Sequence, residues 1–173
     1  ALQWAKIYGA SKVVVFGRSK EHLKVAQALG ADAVVSTLDE DFMEQAMEST
    51  DQKGFNYVFE TAGSTVTMKL AFDLAANHSN VCFIGTPTSD LVFSPAEWEK
   101  MNRKEFHLTG SWMSCSSPFP GEEWTETAHF FANGALKYIP EMFHAVYGLR
   151  DVREAFKEFE GENSIKGRIL LTI

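Results

Sequence analysis

The chain has 173 residues, a formal net charge of −7 and a mean hydropathy of −0.15, and 45% of its residues are apolar. That length and composition suffice for a buried core, whereas an acidic chain lacks the basic field that binding to nucleic-acid phosphates requires. No run approaches the ~18 apolar residues of a membrane-spanning helix, and no signal-peptide pattern opens the chain. We therefore expect a cytoplasmic protein that binds neither nucleic acid nor membrane.

The first part of the chain predicts a helix, a strand and a second helix. The opening "ALQWAKIYGASK" is typical of the last turns of an amphipathic helix that Gly9 ends. The β-branched run from Val13 to Phe16 predicts a strand. Ser19 then offers a hydroxyl cap to a helix that Gly30 stops. These patterns indicate one complete strand–helix unit.

The same alternation continues through the middle of the chain. Apolar runs predict further strands, and between them apolar residues recur at helical spacing. In chain order, the predicted elements are a strand at Ala33–Val35, a helix carrying Phe42, Met43, Ala46 and Met47, a strand at Tyr57–Phe59, a helix carrying Leu70, Ala71, Leu74 and Ala75, and a strand at Val81–Ile84.

The segment "SPAEWEKM" predicts a helix start in detail, because Ser94 can cap, Pro95 suits the first helical position and Glu97 can reach back to the cap. The remaining predicted elements are a strand at Phe106–Trp112, a helix over "GEEWTETAHFFANG", a helix carrying Val152, Ala155, Phe156 and Phe159, and a final strand at Arg168–Ile173.

Apolar strands separated by helices of ordinary length indicate a parallel sheet covered on both faces, so the predicted fold class is doubly wound α/β. Ligands of such folds bind beyond the carboxyl ends of the strands. Four segments follow strands in this way, namely "FGRS", "ETAG", "IGTP" and "GSWM". We expect them to line one crevice.

The chain contains no G-x-G-x-x-G turn, although a Rossmann unit carries a strand and that turn before its first helix. That strand lies in the middle of the sheet, and without it two rows of backbone groups lack partners. We therefore expect the sequence to be a fragment truncated at its N-terminus. The alternative is a natural five-stranded sheet in which the first helix packs on one face.

The stretch "AKIYGASKVVVFGRSKEHLKVAQALGADAVVST" resembles the cofactor domain of medium-chain dehydrogenases, the zinc alcohol and polyol dehydrogenase superfamily. The resemblance covers essentially the whole chain. It implies that residues 1–136 form a Rossmann dinucleotide-binding domain, incomplete at its N-terminus, and that residues 137–173 return to the catalytic domain. It also implies that zinc and its ligands lie in residues outside this chain, so no catalytic or metal-binding residue is assigned here.

The resemblance implies that the cofactor-binding residues follow the strand ends. They are Gly17, Arg18, Ser19, Lys20 and His22 in the first turn, Thr61, Ala62 and Gly63 in the second, Ile84, Gly85 and Thr86 in the third, and Ser111, Trp112 and Met113 in the fourth. Gly85 is expected to let the backbone approach a ligand closely. A plain turn at "IGTP", and core positions for Trp112 and Met113 in an edge strand, are the structural alternatives.

The first turn bears on the choice between NAD and NADP. Family members that take NAD commonly carry Asp at the position of Gly17, where its carboxylate binds the adenosine ribose and repels a 2′-phosphate. Gly17 leaves room for that phosphate, while Arg18, Ser19 and Lys20 offer cations and a hydroxyl. This pattern favours NADP, and a solvated turn with NAD bound is the alternative.

The stretch "KEFHLTGSWMSCSSPFPGEEWTETA" resembles family members that oxidise a phosphorylated hexitol. It implies a sugar-alcohol phosphate as substrate, with galactitol 1-phosphate oxidised to tagatose 6-phosphate. Ser114, Ser116 and Ser117 are the candidate substrate residues, and ordinary turn chemistry is their alternative. The resemblance also implies a homodimer or homotetramer that pairs through the strand Phe106–Met113. A nucleotide-binding or regulatory module without catalysis, and a zinc-independent quinone-reductase-like relative, remain open.

Overall fold

The computed structural model describes residues 1–112, 119–160, 165 and 167–173. The strands are β1 Val14–Gly17, β2 Ala33–Ser36, β3 Phe55–Glu60, β4 Ala75–Phe83, β5 His107–Gly110, β6 Phe143–Gly148 and β7 Arg168–Thr172. The α-helices are α1 Leu2–Ile7, α2 Lys20–Ala28, α3 Phe42–Glu48, α4 Thr65–Leu74, α5 Pro95–Lys104, α6 Glu122–Ala132 and α7 Val152–Lys157. Within these ranges, no helix has both the length and the apolar character needed to cross a bilayer.

All strand pairs among the described residues are parallel, which confirms the predicted α/β class. β1 pairs with β2, and β4 lies between β3 and β5 in a second sheet. β1 and β3 are the strands that approach each other where the two sheets adjoin. The rings of Phe16 and Phe55 contact edge to face at 5.7 Å between these two strands.

The best-packed part of the core lies between the second sheet and helices α4 and α5. Phe72 of α4 is 1% exposed, and its ring stacks on Phe93 at 4.8 Å and meets Phe106 edge to face at 4.9 Å. Val81 at the centre of β4 is fully buried against the same cluster. This packing fixes the direction of β3, β4 and β5 and so the position of their carboxyl ends.

Helix caps predicted from the sequence are present. The Ser19 hydroxyl accepts a hydrogen bond from the His22 amide at the start of α2. At the start of α5, Ser94 and Glu97 form the predicted capping box. Gly30 follows α2 with a positive φ of 96°, which suits a helix stop.

The structure differs from the predicted elements most clearly at β4, β5 and β6. β4 begins six residues before the predicted strand at Val81–Ile84, because Ala75, predicted to be helical, already has extended backbone angles. β5 spans only His107–Gly110, so it starts one residue later and ends two residues earlier than the predicted strand. β6 was not predicted, although Phe143, Ala145 and Tyr147 alternate with more exposed residues as a half-buried strand requires. β6 and β7 pair with each other in a third sheet. The boundary at residue 137 stays a prediction.

Candidate functional site

Three of the four predicted segments meet at one edge of the second sheet. The last residues of β3, β4 and β5 lie in one row, with Glu60 beside Phe83 and Phe83 beside Gly110. Backbone bonds continue beyond this row: the Ile84 amide donates to the Glu60 carbonyl at 2.8 Å, and the Ser111 amide donates to the Phe83 carbonyl at 2.9 Å. The turns after β3, β4 and β5 are therefore neighbours.

The fourth segment, "FGRS", lies at the end of β1 in the other sheet. Gly17 pairs with Ser36, and its carbonyl accepts a hydrogen bond from the Thr37 amide at 3.0 Å. Within the described residues, no hydrogen bond joins this turn to the other three. The structure therefore brings three segments into contact and leaves the first on the adjacent sheet.

Two loops at this edge pack backbone against backbone. A Cβ atom on Gly63 would lie 2.4 Å from the Thr86 carbonyl oxygen, and one on Gly85 would lie 2.2 Å from the Gly63 nitrogen. Such distances leave no room for any side chain at either position. The space in the Cβ direction of Gly85 is filled by the Gly63 turn, and close approach of a ligand to the Gly85 backbone stays a prediction.

Glu60, the last residue of β3, is a buried carboxylate that the sequence analysis did not select. It is 5% exposed, and its Oε1 accepts hydrogen bonds from the amides of Ala62 at 2.9 Å and Gly63 at 3.0 Å. The same oxygen accepts from the Thr67 hydroxyl at 2.7 Å. The pattern that could have identified Glu60 from the sequence is an acidic residue at the end of an apolar strand, followed by small residues.

The side chains that border the crevice are open to solvent. Thr61, Ala62, Thr86 and Ser111 are exposed, and Trp112 is 73% exposed. Trp112 therefore does not belong to the core that the described residues form. Ile84, at the same edge, is 39% exposed. Met113, Ser114, Ser116 and Ser117 lie outside the described residues.

The first turn offers two cations. Arg18 and Lys20 are exposed, and neither forms an ion pair with a residue that the structure describes. The Ser19 hydroxyl is already engaged, since it caps α2 and donates to Glu21 Oε2 at 2.8 Å. Arg18 and Lys20, rather than Ser19, would thus be available to a 2′-phosphate at this turn.

This arrangement fits a dinucleotide in its chemistry. Cations stand at the end of β1, and exposed backbone, hydroxyl and aromatic groups stand at the ends of β3, β4 and β5. Two hollows elsewhere on the surface, of about 250 Å³ beside Lys6 and Lys137 and about 410 Å³ beside Trp124, lie away from these turns. The strand ends, not an enclosed cavity, define the candidate site.

A zinc ion finds no ligand set in the described part of the chain. No group of three or more His, Cys, Asp or Glu side chains gathers there in a way that could hold a metal ion. Cys82 is a free thiol of β4, and His78 Nδ1 lies 3.3 Å from a carboxylate oxygen of Glu105. We therefore assign no zinc ligand among the residues that the structure describes.

Comparisons with known proteins agree with this geometry. Galactitol 1-phosphate 5-dehydrogenase of Escherichia coli strain K12 is 29% identical over 177 residues, which cover 99% of this chain and 49% of that protein. D-arabitol-phosphate dehydrogenase of Enterococcus avium is 30% identical over 167 residues, which cover 95% and 45%. The chain spans about half the length of the curated relatives it matches.

A solved structure has the same fold. The crystal structure of galactitol-1-phosphate dehydrogenase from Escherichia coli matches with a TM-score of 0.87 and 30% sequence identity, over 99% of this chain and 49% of that one. The family model described as "Zinc-binding dehydrogenase" matches residues 1–133, which include the turns after β1, β3, β4 and β5. With these turns at the ends of parallel strands and most of its length within the match, the chain belongs to the zinc-binding dehydrogenase family.

Proposed function

We propose that the protein containing this chain is an NAD(P)-dependent polyol-phosphate dehydrogenase, and that these residues supply its dinucleotide site. The observation that carries the proposal is the row formed by the ends of β3, β4 and β5, from which three turns expose backbone and small polar groups. Membership of a dehydrogenase family supports the same reading. Zinc and its ligands are proposed to lie outside these residues.

The chain's own residues would bind and orient the cofactor. When bound, a nicotinamide would supply the acceptor for the hydride that the substrate alcohol loses, and the hydroxyl proton would pass to a base. The turns after β3 and β4 present a rigid surface, because Gly63 and Gly85 leave no space between them. Trp112 is exposed beside this surface and offers an aromatic face to a planar ring. We assign the turns after β4 and β5 to the nicotinamide half of the cofactor, and the turns after β1 and β3 to its adenosine and ribose half.

A phosphorylated polyol is the proposed substrate. The printed names of two relatives, galactitol 1-phosphate 5-dehydrogenase and D-arabitol-phosphate dehydrogenase, support this class. Ser114, Ser116 and Ser117 are the proposed hydroxyl donors to the substrate. Within the class, galactitol 1-phosphate oxidised to tagatose 6-phosphate is the specific proposal.

The substrate class is tested by steady-state kinetics of the intact natural protein. We expect a kcat/KM for galactitol 1-phosphate well above that for galactitol, because only the phosphate ester offers a dianion to hydroxyl and cationic donors. D-arabitol phosphate serves as the comparison within the class. Equal values for galactitol and its phosphate would remove the phosphate from the proposal. Cofactor binding without turnover of any of the three would favour a nucleotide-binding module.

The assembly is proposed to be a homodimer or a pair of homodimers. Among the described residues β5 pairs with β4 alone, so its other edge is open to a strand of another chain.

A further inference from the structure

We propose that Glu60 is a positioning residue for the dinucleotide, which it binds indirectly by locking the turns after β3 and β4 together. The inference rests on the proposed cofactor site at these turns. It concerns a side chain that would not touch the cofactor itself, because Glu60 is 5% exposed.

The first step is the position of the carboxylate at the start of α4. Ser64 caps this helix through the Thr67 amide, and Glu60 Oε1 binds the amides of Ala62 and Gly63 just before it. The N-terminal end of a helix is partly positive and attracts anions. Here an internal carboxylate satisfies the amides that could otherwise bind a ligand phosphate.

The second step is the contact between the two turns. The Glu60 carbonyl accepts hydrogen bonds from the amides of Ile84 at 2.8 Å and Gly85 at 3.0 Å. Its carboxylate holds Gly63 at the same time, and Oε2 would lie 2.8 Å from a Cβ on Gly85. One residue therefore bonds both turns, through its backbone on one side and its side chain on the other.

These contacts give the cofactor a fixed surface, and the Glu60 carboxylate influences where the cofactor phosphates can bind. Thr61, Ala62 and Thr86 are the exposed residues of the turns that Glu60 holds. A phosphate next to α4 would meet the buried negative charge of Glu60, so the diphosphate and any substrate phosphate should bind elsewhere in the crevice. The turns then recognise uncharged parts of the cofactor.

The test compares Glu60→Ala with a control of the same kind, Glu97→Ala. Glu97 also closes the start of a helix, since its carboxylate accepts from the Ser94 amide at 2.7 Å, but its hydrogen bonds go to Ser94 and Lys69 and not to the turns after β3 and β4. In the intact natural protein we measure Kd for NADH and NADPH by the fluorescence of the reduced nicotinamide, and Tm for each variant.

We expect both variants to lower Tm, but only Glu60→Ala to weaken binding of the preferred cofactor, by about tenfold or more, as the loss of a charge-assisted hydrogen-bond set predicts. Glu60→Gln keeps one oxygen for the Ala62, Gly63 and Thr67 donors and should restore part of the affinity. If Glu60→Ala does not fold, Glu60→Gln tests the proposal by itself. Its cofactor Kd is then expected to be higher than that of the wild type, but by less than about tenfold.

Unchanged cofactor Kd in Glu60→Ala, or an equal rise in Glu97→Ala, would overturn the positioning role while leaving the cofactor site intact. Where only Glu60→Gln folds, a cofactor Kd equal to that of the wild type would likewise overturn the positioning role. A wild-type protein that binds neither NADH nor NADPH would instead overturn the proposed function.

Discussion

Gly17 lies at the end of β1, next to the buried side chain of Leu23. A Cβ atom at Gly17 would stand 3.2 Å from Leu23 Cδ2 and 3.6 Å from its Cγ. The end of the Leu23 side chain must therefore move by a few tenths of an ångström to admit any other residue. A substitution here combines a packing effect with an electrostatic one, and the two must be separated.

We predict that Gly17→Asp shifts cofactor preference from NADP toward NAD, because a carboxylate about 4 Å from a 2′-phosphate costs about 1 to 4 kcal/mol. Gly17→Ala is the matched control, since it adds the same Cβ without the charge. It should affect both cofactors alike. The measurement is kcat/KM for NAD and NADP in wild type and both variants. A wild-type enzyme that already rejects NADP, or equal preference in the two variants, would show that the "GRS" turn binds no phosphate.

At the scale of elements, α4 and α5 show two ways of closing a helix. The capping box of α5 joins Ser94 and Glu97, three residues apart, and it was predicted from the sequence. The C-terminal end of α4 is closed by Lys104 of α5, whose Nζ donates to the carbonyls of Phe72, Asp73 and Ala75 at 2.7 to 2.9 Å. Burial lowers the pKa of Lys104. No local pattern indicates this contact, because it depends on how α5 packs on α4.

The capping box makes stability depend on pH. The pKa of Glu97 is lowered from its ordinary 4.5 to about 2. The main cause is the hydrogen bond from the Ser94 amide, and the second is the Lys69 ammonium, whose Nζ lies 3.0 Å from Glu97 Oε1. The stabilisation is therefore fully present above about pH 4.5 and is lost as the pH falls toward 2, because the unfolded chain takes up the proton first.

We predict that the difference in free energy of unfolding between wild type and Glu97→Gln stays constant above about pH 5 and shrinks between pH 4.5 and 2. Urea denaturation at a series of pH values measures it. Glu99→Gln, on the same helix but outside the capping box, accounts for the general loss of a negative charge. A difference that stays constant down to pH 2 would contradict the prediction.

At the scale of the whole molecule, and among the residues that the structure describes, β5 pairs with β4 on one side and with no strand on the other. It is four residues long, and His107, Thr109 and Gly110 are exposed along it. The Ser111 amide points toward β4, since it donates to Phe83, so the Gly110 amide one residue earlier points away from the sheet. That amide is available to a strand of a second chain.

We predict that the intact protein is a dimer or tetramer by light scattering and that Gly110→Pro dissociates it, because proline removes the outward amide. Gly110→Ala is the control, since it keeps the amide and nothing lies within 4 Å of the added Cβ. A monomeric wild type, or dissociation by both variants alike, would rule out pairing through β5.

The sequence alone determined the features that depend on residues close together in the chain. The alternation of strands and helices, the caps at Ser19 and Ser94 and the parallel class follow from apolar periodicity and local motifs. The family came from the resemblance of whole segments, which the family match over residues 1–133 confirms. Strand ends could also be located, because a parallel sheet gathers its carboxyl ends at one edge. That rule gave the four candidate segments, whereas the individual cofactor residues within them are implied by the family resemblance and stay predictions.

How these strand ends contact one another depends on packing between distant segments and could not be predicted from the sequence. The backbones around Gly63 and Gly85 pack so closely that neither position has room for a Cβ atom. Glu60 is the buried carboxylate that holds these two turns together. Trp112, which the sequence allowed to be core, is exposed. These roles depend on the packing of segments more than 20 residues apart, as Gly63 and Gly85 are. Periodicity specifies which face of a strand is buried, but not which backbone from another turn will lie against it.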